Sequence, residues 1–281
     1  MSLIPSKPIT DRTFVADVHR LPLCDDSVDL VFCSPPYEDA RGYGMDFKIS
    51  GGDWVDWAYQ GFVECLRVCR GLVAWVVEGR TRQFGWSATP VLLAARLHEA
   101  GYALRKPPIF HRVGIPGSGG PDWLRNDFEL VVCAQRVKKR LPWSDNTAMG
   151  HDPKYPPGGV PSHRTPSGAR VNRSRRRRGD GYEDQVYKPP KKANPGNVIR
   201  CNVGGGHLGS KLAYENEAPF PEKLAEFFIR SFCPPEGVVL DPFAGSGTTA
   251  AVAVQCGRHF IASDIRSSQI ELTRRRLAEK G

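Results

Sequence analysis

The chain has 281 residues, 40% of them hydrophobic and 25% charged, with 39 Lys or Arg against 30 Asp or Glu and a net charge of +9. That length suits one large α/β domain carrying an insertion, and the basic balance points to a polyanionic partner. No run approaches the roughly 18 apolar residues of a membrane span, the opening MSLIPSKPITDR lacks a secretory apolar core, and the eight cysteines include no C-x-x-C pair; these features argue against a membrane or exported protein, a zinc site and a disulfide frame, and the expectation is a cytoplasmic protein with reduced thiols.

A strand is expected over residues 13–16, closed by Asp17. SVDLVFC, residues 27–33, predicts a second and buried strand that runs into Ser34, Pro35, Pro36 and Tyr37. Two prolines there remove backbone donors and fix φ, so their carbonyls stay rigid acceptors, and Tyr37 adds a flat face. Such a corner suits an extruded nucleobase with an exocyclic amine; a proline turn beside a packed tyrosine is the alternative. Apolar residues at helical spacing over 54–70 (Trp54, Ala58, Phe62, Cys65, Leu66, Cys69) predict a helix stopped by Gly71. A strand over 72–77, a helix over 90–100 capped by Thr89 and ended by Gly101, and strands over 103–110 and 128–134 follow, the last two joined by GIPGSGGPDW. Alternation of this kind predicts a doubly wound, mostly parallel sheet.

Residues 136–212 differ in composition. They hold 17 Lys or Arg against 5 Asp or Glu, a net +12, whereas the remainder holds 22 against 25, a net −3. Twenty of those residues are Gly or Pro, too many for an independent core, so the segment reads as an insertion. Arg173, Arg175, Arg176, Arg177 and Arg178 of RSRRRR, with Lys188, Lys191 and Lys192, are candidate phosphate contacts; a basic loop with only non-specific affinity is the alternative.

Beyond the insertion, APFPEKL places Pro221 in the first turn of a helix reaching about residue 232. An apolar strand over 238–240 then enters DPFAGSGTT, residues 241–249, and a small-residue helix follows. Gly245 and Gly247 allow a sharp turn and close approach of a ligand, and Thr248 or Thr249 can cap the helix. The loop lacks the lysine of a phosphate-binding loop and the third glycine of the dinucleotide fingerprint. Asp241 at the strand end would repel a pyrophosphate but suits a ligand carrying an ammonium and a sulfonium, which describes S-adenosylmethionine. Asp264, 17 residues past Gly247 at the end of HFIAS, stands where an acid meets ribose hydroxyls. An oxidoreductase on the same strand-turn-helix is the competing reading. A final helix over 267–280 carries arginines that read as a solvated face.

SPPY together with DPFAGSGTT resembles the S-adenosylmethionine-dependent DNA methyltransferases that modify exocyclic amino groups, cytosine N4 or adenine N6. With SPPY first, a basic region second and the cofactor loop last, the order resembles their beta group, a circular permutation. The resemblance covers about residues 11–135 and 213–280. It implies a permuted, Rossmann-like sheet of seven strands, split into a catalytic half (11–135) and a cofactor half (213–281) around a target-recognition insertion (136–212). The strand ending in Asp264 should then lie beside the one ending in Asp17. Ser34 and Pro35 would accept the amino hydrogens and Tyr37 would stack on the base. Asp241, Pro242, Phe243, Gly245, Ser246, Gly247 and Thr248 would hold the methionine and sulfonium side, and Asp264 the ribose. Asp17 would meet the adenine, with Asp25 or Asp26 as rivals. Phe220 and Pro221 either flank the methionine part or merely staple the helix start. No metal is implied. The implied partner is double-stranded DNA, in a prokaryotic or phage setting, with a cognate restriction endonuclease and a homodimer left open by the sequence. Ser34 favours cytosine N4, with adenine N6, RNA, or a non-catalytic nucleic-acid-binding role as alternatives. Cys33 reads as core, because ring-carbon methyltransferases place their cysteine after a proline.

Overall fold

The computed structural model describes residues 11–39, 47–115, 117, 119–155, 157–158, 162–172, 175–178, 181–184, 187–204, 206–216 and 218–279. Two compact units emerge, residues 1–145 with 196–281, and residues 146–195.

The larger unit is built on a nine-stranded sheet: β1 Arg12–Val15, β2 Val28–Cys33, β3 Cys69–Val77, β4 Ala103–Leu104, β5 Ile109–Val113, β6 Phe128–Gln135, β7 Val198–Asn202, β8 Val238–Asp241 and β9 His259–Asp264. The spatial order is β1-β9-β8-β2-β3-β6-β5-β7, with β4 against β6. Pairing is parallel from β1 through β3, antiparallel on both sides of β6, and parallel between β5 and β7. Every residue of β2 and β8 is buried, as expected of strands covered on both faces. Two strands exceed the expected seven, each for a local reason. Pro107 and Pro108, which cannot donate to a ladder, split residues 103–110 into β4 and the start of β5. VIRCN alternates exposed and buried residues and adds β7 as an edge, so residues 196–212 of the basic segment belong to the larger unit.

Helices cover both faces. Trp54, Ala58 and Phe62 of α1 (Gly51–Val68), with Leu93 and Leu97 of α2 (Thr89–Glu99), pack on Val31, Cys33, Val73 and Trp75. The alternate side chains Leu30, Phe32, Leu72 and Ala74 face α3 (Glu222–Phe232) and α4 (Thr248–Gln255). Phe228 of α3 stacks on Phe32 at 4.6 Å, an arrangement that contributes about 0.5–1.5 kcal/mol beyond area burial. Thr89 does not cap α2: it is the helix's first residue, and its buried hydroxyl has no hydrogen-bond partner. Gly247 occupies the cap position of α4, leaving Thr248 and Thr249 inside the helix. The last helix, α5, spans Ser267–Ala278.

β1 pairs with β9 in parallel, Val15 opposite Asp264, as the permuted order requires. Side chains reinforce the junction: Asp11 Oδ2 lies 2.7 Å from His259 Nδ1, and Arg274 Nε donates to Thr13 Oγ1 at 2.9 Å.

In the smaller unit Ser162–Arg164 pairs with Arg170–Asn172, and Arg175–Arg178 pairs with Gly181–Asp184, setting Arg175 opposite Asp184 and Arg176 opposite Glu183. Lys192 Nζ reaches Asp152 Oδ1 at 2.7 Å. None of its described side chains is buried, consistent with a Gly- and Pro-rich segment that builds no core of its own. Among the described residues no helix is long and apolar enough to cross a membrane.

Candidate active site

Parallel strands end on one edge of the sheet, where open α/β folds place their ligand crevice. There β1, β2, β8 and β9 deliver Asp17, Ser34, Pro242 and Asp264 to a cleft of about 960 Å³, solvent mouth included. Phe220, Phe243, Gly245, Ser246 and Thr248 line it too, with Phe47, Trp57, Asn216 and Arg266. The turn after β8 needs its glycines. Gly245 and Gly247 have φ of +50° and +77°, and a Cβ would stand 2.8 Å from Asn216 Nδ2 at the first and 2.9 Å from Thr273 Cγ2 at the second.

The cleft has an acidic part and an aromatic part. Asp264 accepts the Gly245 and Arg266 amides at 3.1 and 3.0 Å. Asp17 accepts the His19 amide at 3.0 Å and meets its ring nitrogen at 2.7 Å. Burial raises the Asp17 carboxyl, but these His19 contacts outweigh it and leave it below the usual carboxylate range. Asp25 and Asp26 are engaged elsewhere, by Arg67 and Arg136, and only Asp17 of the three lines the cleft. Phe243 lies between Trp57 and Trp75, with centroids 5.9 and 5.3 Å away. A ligand with a flat heteroaromatic ring, a vicinal diol and a positive centre fits this donor set.

Asp241 takes a different place. It is 2% exposed and lies behind the turn rather than in the cleft wall, accepting the Phe243 amide at 2.9 Å. Burial pushes its carboxyl up to about 7.

At the SPPY corner, Ser34 Oγ has two inward acceptors for its single proton, the Val76 carbonyl and the Tyr37 hydroxyl, each at 3.2 Å. Tyr37 in turn donates to Glu129 Oε2 at 2.7 Å, and Arg112 stands 3.0 Å from the other oxygen of that carboxyl. Burial raises the Glu129 carboxyl despite the Arg112 charge. Trp54 Nε1 donates to the Pro36 carbonyl at 3.0 Å and fixes the bend. Cys33 is fully buried, and burial raises its thiol well above the ordinary range, so it is no nucleophile.

Pro35, Tyr37 and Gly247 stand beside the cleft without lining it, and Pro221 faces a separate one with Arg200, His207 and Lys223. Lys188, Lys191, Lys192 and Arg175–Arg178 belong to the smaller unit; Arg173 lies outside the described residues.

Sequence reasoning missed Asn216, His19, Trp57, Glu129 and above all Arg276. Arg274 and Arg275 are exposed, but Arg276, read with them as solvated, is wholly buried. Its guanidinium donates to Ser246 Oγ (3.2 Å), Thr248 Oγ1 (2.8 Å), the Leu208 carbonyl (3.0 Å) and Glu222 Oε1 (2.9 Å). The signal was in the spacing: Gln269, Leu272, Thr273 and Arg276 share the buried face of α5.

A family described as DNA methylase matches residues 28–275 of the chain. The orphan methyltransferase M.BamHII of Bacillus amyloliquefaciens is 28% identical over 262 residues, covering 90% of this chain and 89% of that protein. The DNA adenine methyltransferase YhdJ of Escherichia coli is 25% identical over 296 residues, covering 97% and 83%. Among solved structures, the cytosine-N4-specific PvuII DNA methyltransferase superposes with a TM-score of 0.66 at 19% identity over 93% of this chain and 84% of that one. A Thermus thermophilus protein complexed with S-adenosyl-L-methionine does so with 0.58 at 20%, over 96% and 93%. The chain belongs to the N6/N4 DNA methylase family and is an S-adenosylmethionine-dependent DNA methyltransferase.

Proposed function

We propose that the enzyme methylates the N4 amino group of cytosine held outside the duplex at the SPPY corner. The observation that carries this reading is Ser34: it lines the cofactor cleft while its proton is directed inward to Val76 or Tyr37. Its oxygen lone pairs are thereby available to accept from an amino group. Family members with serine at this place mostly methylate the cytosine amine, and those with Asp or Asn mostly the adenine amine.

When bound, S-adenosylmethionine supplies an electrophilic methyl group on a positively charged sulfur. Asp264 and Asp17 hold its sugar and adenine ends, Phe243, Trp57 and Phe220 provide apolar walls, and the turn over Gly245–Thr248 seats the remainder. Ser34 Oγ and the Pro35 carbonyl accept the two amino hydrogens and turn the nitrogen lone pair toward the methyl group. Tyr37, anchored through its hydroxyl to Glu129, presents its ring to the base. These acceptors would stand beside the amino nitrogen where positive charge develops during methyl transfer, so positioning with electrostatic stabilisation would supply the catalysis. The methylated cation is acidic and loses its proton to solvent, so a neutral serine suffices. Arg173, Arg175–Arg178, Lys188, Lys191 and Lys192 contact DNA phosphates.

Mass analysis of nucleosides from treated DNA tests the target base. N4-methylcytosine is expected, and finding N6-methyladenine alone overturns the assignment. Neutralising Arg175–Arg178 should lower the slope of log affinity against log salt by about 3 to 4, near 0.9 for each lost phosphate contact, with cofactor binding unchanged.

A further inference from the structure

Two loops at the catalytic edge carry aromatic side chains that the chemistry above does not use. Thr81–Arg82 and Gly85–Trp86 form a hairpin just beyond the end of β3. The turn between them is Gln83-Phe84, with φ of +49° and +61°. Two-residue turns of this kind favour Asn-Gly, and a bulky aromatic at positive φ is an outlier. Phe84 is nevertheless 74% exposed, so burial in a core does not explain the strained position. The second loop joins β5 to β6 and so leaves the sheet at the same edge, since β5 runs parallel to β3 through two antiparallel steps. From it Trp123 meets Phe84 edge to face, centroids 5.6 Å apart, and is itself 43% exposed, with Leu124 beside it at 91%.

Both loops are fixed to the catalytic corner. Ser87 Oγ donates to Glu38 Oε2 at 2.7 Å, Arg80 pairs with Asp39, and Trp86 Nε1 donates to Glu78 Oε1 at 3.0 Å. Glu38 and Asp39 directly follow SPPY. The second loop returns into β6, whose Glu129 holds Tyr37. An exposed aromatic pair is therefore held in fixed relation to Ser34, with the largely exposed Arg82 and Arg125 beside it in sequence. Apolar side chains presented with cations on a DNA-modifying surface are suited to enter a base stack.

We propose that Phe84, backed by Trp123, is a wedge that enters the substrate duplex and occupies the space vacated by the extruded base. The proposal rests on the reading that the target base leaves the duplex. At the hairpin tip the strained backbone holds the Phe84 ring clear of the protein, as strain kept at a functional position would.

The test uses the full chain and two oligonucleotide duplexes carrying a site mapped by sequencing the methylated product. One is fully paired, and in the other the target base faces an abasic position, so that extrusion needs little help. Phe84→Gly is expected to methylate the paired duplex about 5- to 150-fold more slowly than wild type, the range of one lost base–aromatic stack. On the abasic duplex it should match wild type within about twofold. Its unfolding temperature should equal or exceed that of wild type, because glycine relieves the positive φ. Trp123→Ala should show the same substrate pattern more weakly. Equal losses on both duplexes, or no loss on either, overturn the wedge. If wild type methylates the abasic duplex no faster than the paired one and shows no extrusion by 2-aminopurine fluorescence at the target, the extruded-base reading itself has failed.

Discussion

Arg276→Ala removes a cation that ties the cofactor turn to Leu208 and to the start of α3. The guanidinium is completely buried, and it contacts Ser246, Thr248, Leu208 and Glu222 at 2.8–3.2 Å. Removing one partner from a buried ion pair costs about 3–5 kcal/mol. The Glu222 side chain is 21% exposed and can recruit water, which places the loss near the lower end, about 3 kcal/mol. At roughly 2–4 °C per kcal/mol for a domain of this size, the melting temperature should fall by about 6–12 °C. Cofactor affinity should fall as well, since Ser246 and Thr248 line the cleft and lose the group that orients their hydroxyls. Arg276→Lys should recover only part of either loss, because an ammonium cannot reproduce the planar fork that serves acceptors on both sides. Thermal unfolding with and without S-adenosylmethionine, together with calorimetric titration, reads both quantities. An alanine variant that melts within about 2 °C of wild type and gains as much stability from the cofactor would refute the reasoning.

Other perturbations address the remaining assignments. Cys33→Ser should retain activity while losing about 1–2 kcal/mol of stability to a buried hydroxyl; a folded but inactive protein would reinstate the thiol as a nucleophile. Tyr37→Phe keeps the ring but releases it from Glu129, so kcat should fall by about tenfold, the equivalent of one hydrogen bond to a charged group, with cofactor binding unchanged by titration. With the Asp241 carboxyl raised to about 7 in the folded protein against 3.8 for an ordinary one, its stabilising effect is full below 3.8 and is lost as pH rises through about 7, so Asp241→Asn should melt above wild type at pH 8. A cationic cofactor favours the ionised form, so its affinity for wild type should climb as pH rises through about 7 and stay flatter for Asp241→Asn. A circular permutant that joins the end of α5 to β1 and opens the chain within residues 146–195 should still bind the cofactor, because the join converts β9, α5 and β1 into an ordinary parallel crossover; loss of binding in a folded permutant would count against the pairing.

Most of the sheet was legible because its central strands are largely apolar, VDLVFC and VVLD each carrying a single acid among residues that must be buried. The cofactor turn was legible for a related reason, since positive φ at two close-packed positions admits little besides glycine. What escaped were residues whose role depends on partners distant in sequence. Glu129 looks like one acid near the start of a strand until it is seen to stand 2.7 Å from a hydroxyl 92 positions away. Arg276 belongs to a run of three arginines, and charge alone says solvent; only the helical phase of the run separates the buried one from the exposed two. Asp241 was read as a cleft residue from its place at a strand end, but the turn that follows folds Phe243 and Gly245 in front of it and leaves the carboxyl buried. β7 was hidden by composition, because five residues of alternating pattern inside a basic, Gly- and Pro-rich segment carry too little signal to announce an edge strand.

The permuted order also decides where the cofactor acts on stability. Asp11 and His259 lie 248 positions apart, yet they meet where β1 joins β9. Closing so long a loop costs little more than closing a short one: eight times the length is three doublings, about 2 kcal/mol. The junction has only four paired residues and a partly exposed strand to offset this, while β2 and β8 at the sheet centre are wholly buried. β1 is therefore more easily released than the central β2 and β8 and, as a distant contact, expected to form later than they do. A ligand spanning Asp17 and Asp264 would touch both sides of that junction, so its binding energy would fall on that seam. In the unpermuted arrangement the same two strands are consecutive and the seam is covalent; here a cofactor held by both acids would take over part of what the chain connection would have done.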